Sequence, residues 1–299
     1  MEAPAGIRQA VRLAPFTTYK IGGPADLFFE ATSKEELADA VRYARSASLP
    51  YFILGTGANI LMSDKGFRGL VILNRAATVS FEGDRVRAES GATIADLIEM
   101  TANRDLSGLE HFAGIPSTVG GAIWQNLHFL SPDRERTVFI AEVLEEATIL
   151  DGENTVRAVP TSFFEFGYDD SILHREKDLV VLEAVFRLKE WPADLIREQA
   201  AANRSWRREK QPQLEEFPSC GSVFKKIEGA GAGRLIDQVG LKGHAIGGAM
   251  ISPKHANFFV NTGNATAADV KALIKLAHDE VLAKTGYDLE TEISFIGEE

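Results

Sequence analysis

Two glycine-rich loops constrain this chain more than any other feature. Gly55-Thr56-Gly57-Ala58-Asn59 follows the short apolar run Tyr51-Phe52-Ile53-Leu54, and Gly114-Ile115-Pro116-Ser117-Thr118-Val119-Gly120-Gly121-Ala122 comes later in the chain. A glycine loop after a strand is where backbone amides can surround a pyrophosphate. The first loop lacks the third glycine of G-x-G-x-x-G and the Gly-Lys-Ser/Thr of nucleotide hydrolases, so it belongs to neither class. In the second, two separated glycine groups flank small hydroxyl-bearing residues, which lets a ligand approach the backbone closely. Together the loops suggest a dinucleotide lying between two domains. Two structural turns are the plain alternative.

The rest of the composition narrows the class. A length of 299 residues allows two or three compact units. No apolar run approaches the ~20 residues that cross a bilayer, and the start, Met1-Glu2-Ala3-Pro4-Ala5-Gly6, has no secretory pattern. The single cysteine, Cys220, forbids an internal disulfide and fits a reducing compartment. A net charge of −11 argues against general nucleic-acid binding. The six histidines show no metal-ligand spacing, so no metal is expected. These features describe a cytoplasmic protein, read here as a monomer that binds neither membrane nor nucleic acid.

Periodicity then places the elements. Leu27–Ala31 reads as a strand, and Ser33 with Glu36 as a capping box opening a helix with Leu37, Ala40, Val41 and Ala44 on one face. Leu70–Leu73, Thr78–Phe81 and Arg85–Ala88 read as strands, the last two joined by a Gly83-Asp84 turn. Thr93 and Asp96 open a second helix, with strands expected at Ala147–Leu150 and Leu179–Phe186. A helix from Pro192 to Gln211-Pro212, carrying Arg204, Trp206, Arg207, Arg208 and Lys210, reads as a solvated linker. Thr266 and Asp269 cap a helix ended by Gly286, and Glu292–Ile296 reads as a closing strand. Three segments emerge: 1–75, 76–205 and 206–299.

Several motifs carry a resemblance. Thr18-Tyr19-Lys20-Ile21-Gly22-Gly23-Pro24-Ala25, Leu54–Leu61 with Ser63-Asp64, and Gly114–Ala122 resemble the UDP-N-acetylenolpyruvoylglucosamine reductases. So do Gly221-Ser222-Val223-Phe224-Lys225, Ala232–Ile236, Gly240–Gly243 and Lys254-His255-Ala256-Asn257-Phe258. The order is kept along nearly the whole chain, without the long insertion some members carry, as in the shorter subtype. The resemblance implies an α+β chain: a two-subdomain FAD-binding fold of the vanillyl-alcohol-oxidase type, then a C-terminal α/β substrate-binding domain. It implies FAD, NADPH as reductant, and the enolpyruvyl ether of UDP-N-acetylglucosamine as substrate, reduced to UDP-N-acetylmuramate for peptidoglycan synthesis. Residues expected at FAD are Tyr19, Ile21, Gly55, Thr56, Gly57, Ala58, Asn59, Ile60, Ser63, Gly114, Ile115, Pro116, Ser117, Thr118, Gly120 and Gly121.

The same resemblance makes Ser222 the proton donor and Glu292 the carboxyl group that helps stabilise the enol, with Tyr168, Lys225 and Lys226 binding substrate. Three departures stand out. The family's Tyr-Arg-x-Ser reads Tyr168-Asp169-Asp170-Ser171 here, so Asp169 takes the place of a catalytic arginine. Losing one preorganised donor costs about 10²–10³ in rate. The family's Ala-Gly-Ala-Tyr-Gly after Asn126 reads Leu127-His128-Phe129-Leu130-Ser131, and Lys226 replaces an asparagine. Lys226, or else Arg175, is a candidate to restore the lost charge. Asp169 also leaves open another substrate on the same scaffold, or a silent FAD or UDP-sugar binding protein.

Overall fold

The computed structural model describes residues 2–131, 133–227 and 229–298. The chain divides into two compact units. One holds Phe29–Gly55 and Ile72–Arg207 with the N-terminal residues to Ile7; the other holds Arg8–Phe28, Thr56–Val71 and Arg208–Glu299. Each takes chain from more than one of the three segments read above.

The first unit is built on a five-stranded antiparallel sheet in the order Val156–Pro160, Leu144–Leu150, Val180–Arg187, Arg85–Glu89, Val79–Glu82. The outer hairpin turns at Gly83-Asp84, with Glu82 opposite Arg85. The central strand, Val-Val-Leu-Glu-Ala-Val-Phe-Arg, is buried along all but its last residue. Its one buried charge, Glu183, is tolerated because Lys34 and Arg87 both reach it at 2.7 Å. A buried carboxylate without such partners would cost several kcal/mol. Helix Ile94–Ala102 buries Ile94, Leu97 and Ile98 on this core, with Thr93 capping the Asp96 amide.

Helix Lys34–Ser46 buries the four residues that periodicity selects. Its capping box is only half present. The Ser33 hydroxyl accepts from the Glu36 amide, but the Glu36 carboxylate turns back to the Thr32 amide and hydroxyl instead. The helix after Pro192, Ala193–Lys210, is not the uniformly solvated linker expected. Trp206 packs on the first core against Phe129, and Arg207 lies over the same Phe129 ring. Asn203, fully buried, donates to the carbonyl of His111.

The second unit has an antiparallel sheet in the order Ser219–Ser222, Phe258–Asn261, Ala249–Ile251, Ala245–Ile246. Helices Ala232–Gln238 and Ala267–Thr285 contribute Leu235, Ile236, Val270, Leu273, Ala277 and Val281 to its core. Thr266 and Asp269 form the full capping box, and Gly286 ends the helix at φ +77°. The closing strand is shorter than periodicity suggests. It begins at Ser294 and runs parallel to Ile60–Met62. Residues before it have another partner: Thr291 bridges Phe224, and the Glu292 amide donates to the Val223 carbonyl.

A four-stranded sheet in the order Arg8–Arg12, Pro24–Ala31, Phe67–Asn74, Tyr51–Leu54 completes the frame. Its last strand delivers the chain into the first glycine loop. Among the described residues, no helix is long and apolar enough to cross a membrane, and no His/Cys/Asp/Glu group could hold a metal.

Candidate active site

In the second unit, Ser222 ends a strand whose register with Phe258–Asn261 slips between Ser219 and Ser222. The slip is made at Gly221, whose φ of +91° is a conformation L side chains rarely adopt. The chain then pairs with the C-terminal segment: Val223 accepts from Glu292 at 2.8 Å, and the Lys225 amide donates to Glu290 at 2.9 Å. This pairing brings the backbones of Ser222 and Glu292 side by side, from opposite ends of the unit's C-terminal stretch. Both side chains are half-buried.

Asn257 holds this arrangement. Its side-chain amide donates to the Phe224 carbonyl at 2.8 Å and accepts from the Phe224 amide at 3.0 Å, while its own carbonyl accepts from Val223. Nδ1 of His255 in turn accepts from the Asn257 amide at 3.2 Å. Burial pushes the His255 pKa down, which keeps that nitrogen an acceptor. Cys220 lies beside the site but is inert, because desolvation, reinforced by the Glu292 charge, raises its thiol pKa. Lys225 pairs with Glu290 in the open, and no ion pair holds Lys226 among the described residues.

The first glycine loop turns tightly and leaves consecutive amides open. Gly57 and Asn59 both have positive φ, +67° and +56°. The Gly57 carbonyl is fixed by the amide and hydroxyl of Thr18 at 3.2 Å. The amides of Gly57, Ala58 and Asn59 find no protein acceptor among the described residues. Consecutive amides left in this way are what a phosphate group satisfies. Tyr19, 0 % exposed, contributes a phenol that likewise has no partner there, and burial raises its pKa so that it stays a neutral donor. Ile21 is a core residue, and the Ser63 hydroxyl is engaged by the Glu298 carbonyl. Ile60 opens the strand that receives Ser294.

In the second glycine run the amides that open the helix are committed, whereas those of Ser117 and Thr118 find no acceptor among the described residues. Thr118 caps helix Val119–Gln125, and its hydroxyl accepts from the Gly121 amide. The other first-turn amides are also committed, Val119 to Ala92 and Gly120 to Ser90. Gly55 has no side chain because one would meet the Thr118 hydroxyl at 2.7 Å. Ile115 packs on the core, Ser117 accepts from the Ile94 amide, and Arg207 lines Gly114. Thr56 and Pro116 sit in these loops at intermediate and partial exposure.

In the first unit, Tyr168 and Asp169 occupy a tight turn closed by the Gly167 amide on the Asp170 carbonyl. Tyr168 is 47 % exposed and lies 4.5 Å from the His128 ring. Asp169 is buried at φ +53°, with Nδ1 of His128 3.4 Å from its Oδ1. Arg175 does not restore the charge at Asp169, because its guanidinium is held by Asp170 and Glu165 at 2.9 and 2.8 Å.

Comparison with known proteins bears on these features together. Residues 25–159 match the model of an FAD binding domain, and 211–296 match the C-terminal domain of UDP-N-acetylenolpyruvoylglucosamine reductase. A reductase of that name from Clostridium botulinum is 39 % identical over 95 % of this chain and 90 % of its own length. One from Caldanaerobacter subterraneus is 39 % identical over 94 % and 91 %. The chain belongs to the UDP-N-acetylenolpyruvoylglucosamine reductase family. The crystal structure of the Thermus caldophilus reductase superposes with a TM-score of 0.79 at 32 % identity, covering 95 % of this chain and 97 % of that one.

Membership of this reductase family makes FAD the cofactor, and the residues fit it: open amides at Gly57, Ala58 and Asn59 for phosphate, and the buried Tyr19 phenol. A Gly57→Ala side chain would meet the Phe16 carbonyl at 2.5 Å and Thr17 Cα at 2.6 Å in a left-handed conformation. Strain of about 1–2 kcal/mol should weaken FAD binding about tenfold in a flavin absorbance titration. Gly83→Ala, also at positive φ but with open space around it, should leave FAD affinity unchanged. Sequence reasoning missed the place of Asn257: Lys254-His255-Ala256-Asn257-Phe258 shows the residue, but only the fold shows that it grips Phe224.

Proposed function

We propose that this chain reduces the enolpyruvyl ether of UDP-N-acetylglucosamine to UDP-N-acetylmuramate with NADPH, a step of peptidoglycan precursor synthesis. The observation that supports the reading is the backbone pairing of Val223 with Glu292, locked by Asn257, which runs the Ser222 segment alongside the Glu292 segment. When bound and reduced by NADPH, FAD supplies the hydride that the vinyl carbon receives.

The chain's own residues handle charge and proton. As the vinyl carbon is reduced, negative charge develops at the neighbouring carbon and spreads into the carboxylate. Glu292 hydrogen-bonds the developing enol, and Ser222 delivers the proton from its hydroxyl. Gly221 makes the turn that aims Ser222, and Asn257 prevents the segment from shifting. Lys226, Lys225 and Tyr168 bind the anionic substrate. The reaction belongs in the cytoplasm, carried out by a monomer, and through wall synthesis it serves cell shape and division.

Product analysis tests this reading. Incubation of the FAD-loaded protein with NADPH and enolpyruvyl-UDP-N-acetylglucosamine should yield UDP-N-acetylmuramate, heavier by two hydrogens, in step with NADPH consumed. Unchanged substrate after NADPH has reduced the flavin would refute the assignment of substrate.

A further inference from the structure

The grip of Asn257 on Phe224 depends on the turn that carries it, residues 252–258 of the second unit. The Ser252 amide donates to the Phe258 carbonyl at 2.8 Å, and the Phe258 amide to the His255 carbonyl at 2.9 Å. The hydroxyl of buried Ser252 accepts from the Lys254 and His255 amides at 3.2 and 3.4 Å. The acceptor for the Asn257 amide is of another kind. It is Nδ1 of His255, at 3.2 Å. A ring nitrogen accepts only while it carries no proton, so acid can break this bond and leaves the carbonyl and hydroxyl acceptors as they are.

The surroundings favour the neutral ring. It packs edge-on against Phe258, with centroids 4.9 Å apart. On another side lies Gly233 of helix Ala232–Gln238, where a Cβ would stand 3.2 Å from His255 Cε1 and 3.4 Å from Asn257 Cβ. That helix carries two charged residues, Arg234 and Asp237, and Asp237 is committed to Lys242 at 2.7 Å. Lys254, next in the chain, reaches the Arg208 carbonyl. Burial, with the Lys242 charge behind it, lowers the midpoint of the ring, and among the described residues no carboxylate pairs with it.

We propose that His255 is a positioning residue for the reduction: as a neutral imidazole it fixes Asn257, and through Asn257 the Phe224 segment to which Ser222 and the Glu292 pairing are tied. Once protonated, Nδ1 is a donor facing the Asn257 amide, so two donors stand 3.2 Å apart and the grip on Phe224 loosens. No proton passes from His255 to substrate. The kinetic consequence rests on the substrate reading above; the consequence for stability does not.

The test uses the FAD-loaded protein, two substitutions and pH. In the parent, reoxidation of reduced flavin by enolpyruvyl-UDP-N-acetylglucosamine and the melting temperature should both hold above the ordinary imidazole midpoint of about 6.5. Both should fall as pH drops through the lowered midpoint of His255, because the unfolded chain takes up that proton first. His255→Leu removes the acceptor at every pH. It should slow reoxidation about tenfold at neutral pH, the factor set by one lost hydrogen bond, and leave flavin reduction by NADPH little changed. Asparagine accepts from the amide two residues on without titrating, so His255→Asn should recover most of that loss and extend both plateaus to lower pH. NMR of nitrogen-labelled histidine, with the His255 signal identified by its absence in His255→Asn, should show Nδ1 bare at neutral pH.

A His255→Asn enzyme with the parent's acid fall in both rate and melting temperature would overturn the proposal, as would a proton on Nδ1 at neutral pH. So would a His255→Leu enzyme that is reoxidised like the parent at every pH. Should His255→Leu fail to fold, His255→Asn and the ring titration decide by themselves. A parent that the substrate never reoxidises would bring down the substrate reading instead, while the acid fall in melting temperature still reports whether His255 holds the turn.

Discussion

Replacing Ser222 by alanine is expected to slow reoxidation of the reduced flavin by substrate about 10³-fold, within the range contributed by a positioned proton donor. The hydroxyl has two structural supports. Gly221 turns the strand at φ +91°, and the register slip against Phe258–Asn261 makes Ser222, opposite Phe258, the last residue of the strand. Alanine fits the same backbone, so stability and FAD content should be unaffected. Reduction of the flavin by NADPH does not use the hydroxyl and should keep its rate. Stopped-flow measurement of the two half-reactions separates these effects. A fall of less than tenfold in reoxidation would mean that another group, or water, delivers the proton.

Asn257→Ala should destabilise the protein by about 2–4 kcal/mol and also impair turnover. The side-chain amide satisfies both the N–H and the carbonyl of Phe224, a residue 1 % exposed where no water can replace it. Each buried group left unsatisfied costs about 1–3 kcal/mol. The activity loss follows because Phe224 is two residues from Ser222 and bridges Thr291, next to Glu292. Loosening this one contact therefore frees both functional side chains. Urea unfolding should show a lower midpoint at an unchanged slope, and the variant should lose substrate-driven reoxidation more than FAD affinity. Asn257→Asp makes a sharper control. It keeps an acceptor for the Phe224 amide but loses the donor to its carbonyl and adds a buried charge, so it should be no more stable than alanine.

Local signals in the sequence were reliable where the governing contact is local. Thr93 and Thr266 cap the helices they precede, Gly286 ends the last one, and Gly83-Asp84 turns the hairpin. Each of these involves groups within a few residues of one another. Glu36 shows the limit even there. Its carboxylate found the Thr32 amide and hydroxyl rather than the Ser33 amide, a choice that spacing alone does not distinguish. The strand expected from Glu292 starts late because the chain exchanges one partner, Val223–Lys225, for another, Ile60–Met62. Periodicity reports which face is buried and says nothing of which segment lies alongside. The helix after Pro192 was read as solvated from its charges, yet arginine stems and a tryptophan cover apolar surface there.

The candidate site divides in the same way. Ser222 and Glu292 were readable from motifs that resemble the family, but their shared backbone pairing was not. Asn257 grips a residue 33 positions away, and His128 faces a residue 41 positions away. Such relations exist only once the chain is folded. Gly55, Gly57, Gly120 and Gly121 read alike in the sequence, yet they differ in the fold: Gly57 turns the chain at φ +67°, Gly55 lies against the Thr118 hydroxyl and Gly120 against Ser90. Among the described residues both loops leave consecutive amides without an acceptor, Gly57 to Asn59 in the first and Ser117 with Thr118 in the second, beside amides that are committed.

The most direct test of the account is an anaerobic double-mixing experiment on the FAD-loaded protein. The flavin is first bleached with one equivalent of NADPH and then mixed with enolpyruvyl-UDP-N-acetylglucosamine. The account predicts rapid, complete return of the oxidised flavin spectrum with UDP-N-acetylmuramate formed in equal amount. A flavin that NADPH reduces and this substrate leaves reduced would contradict it.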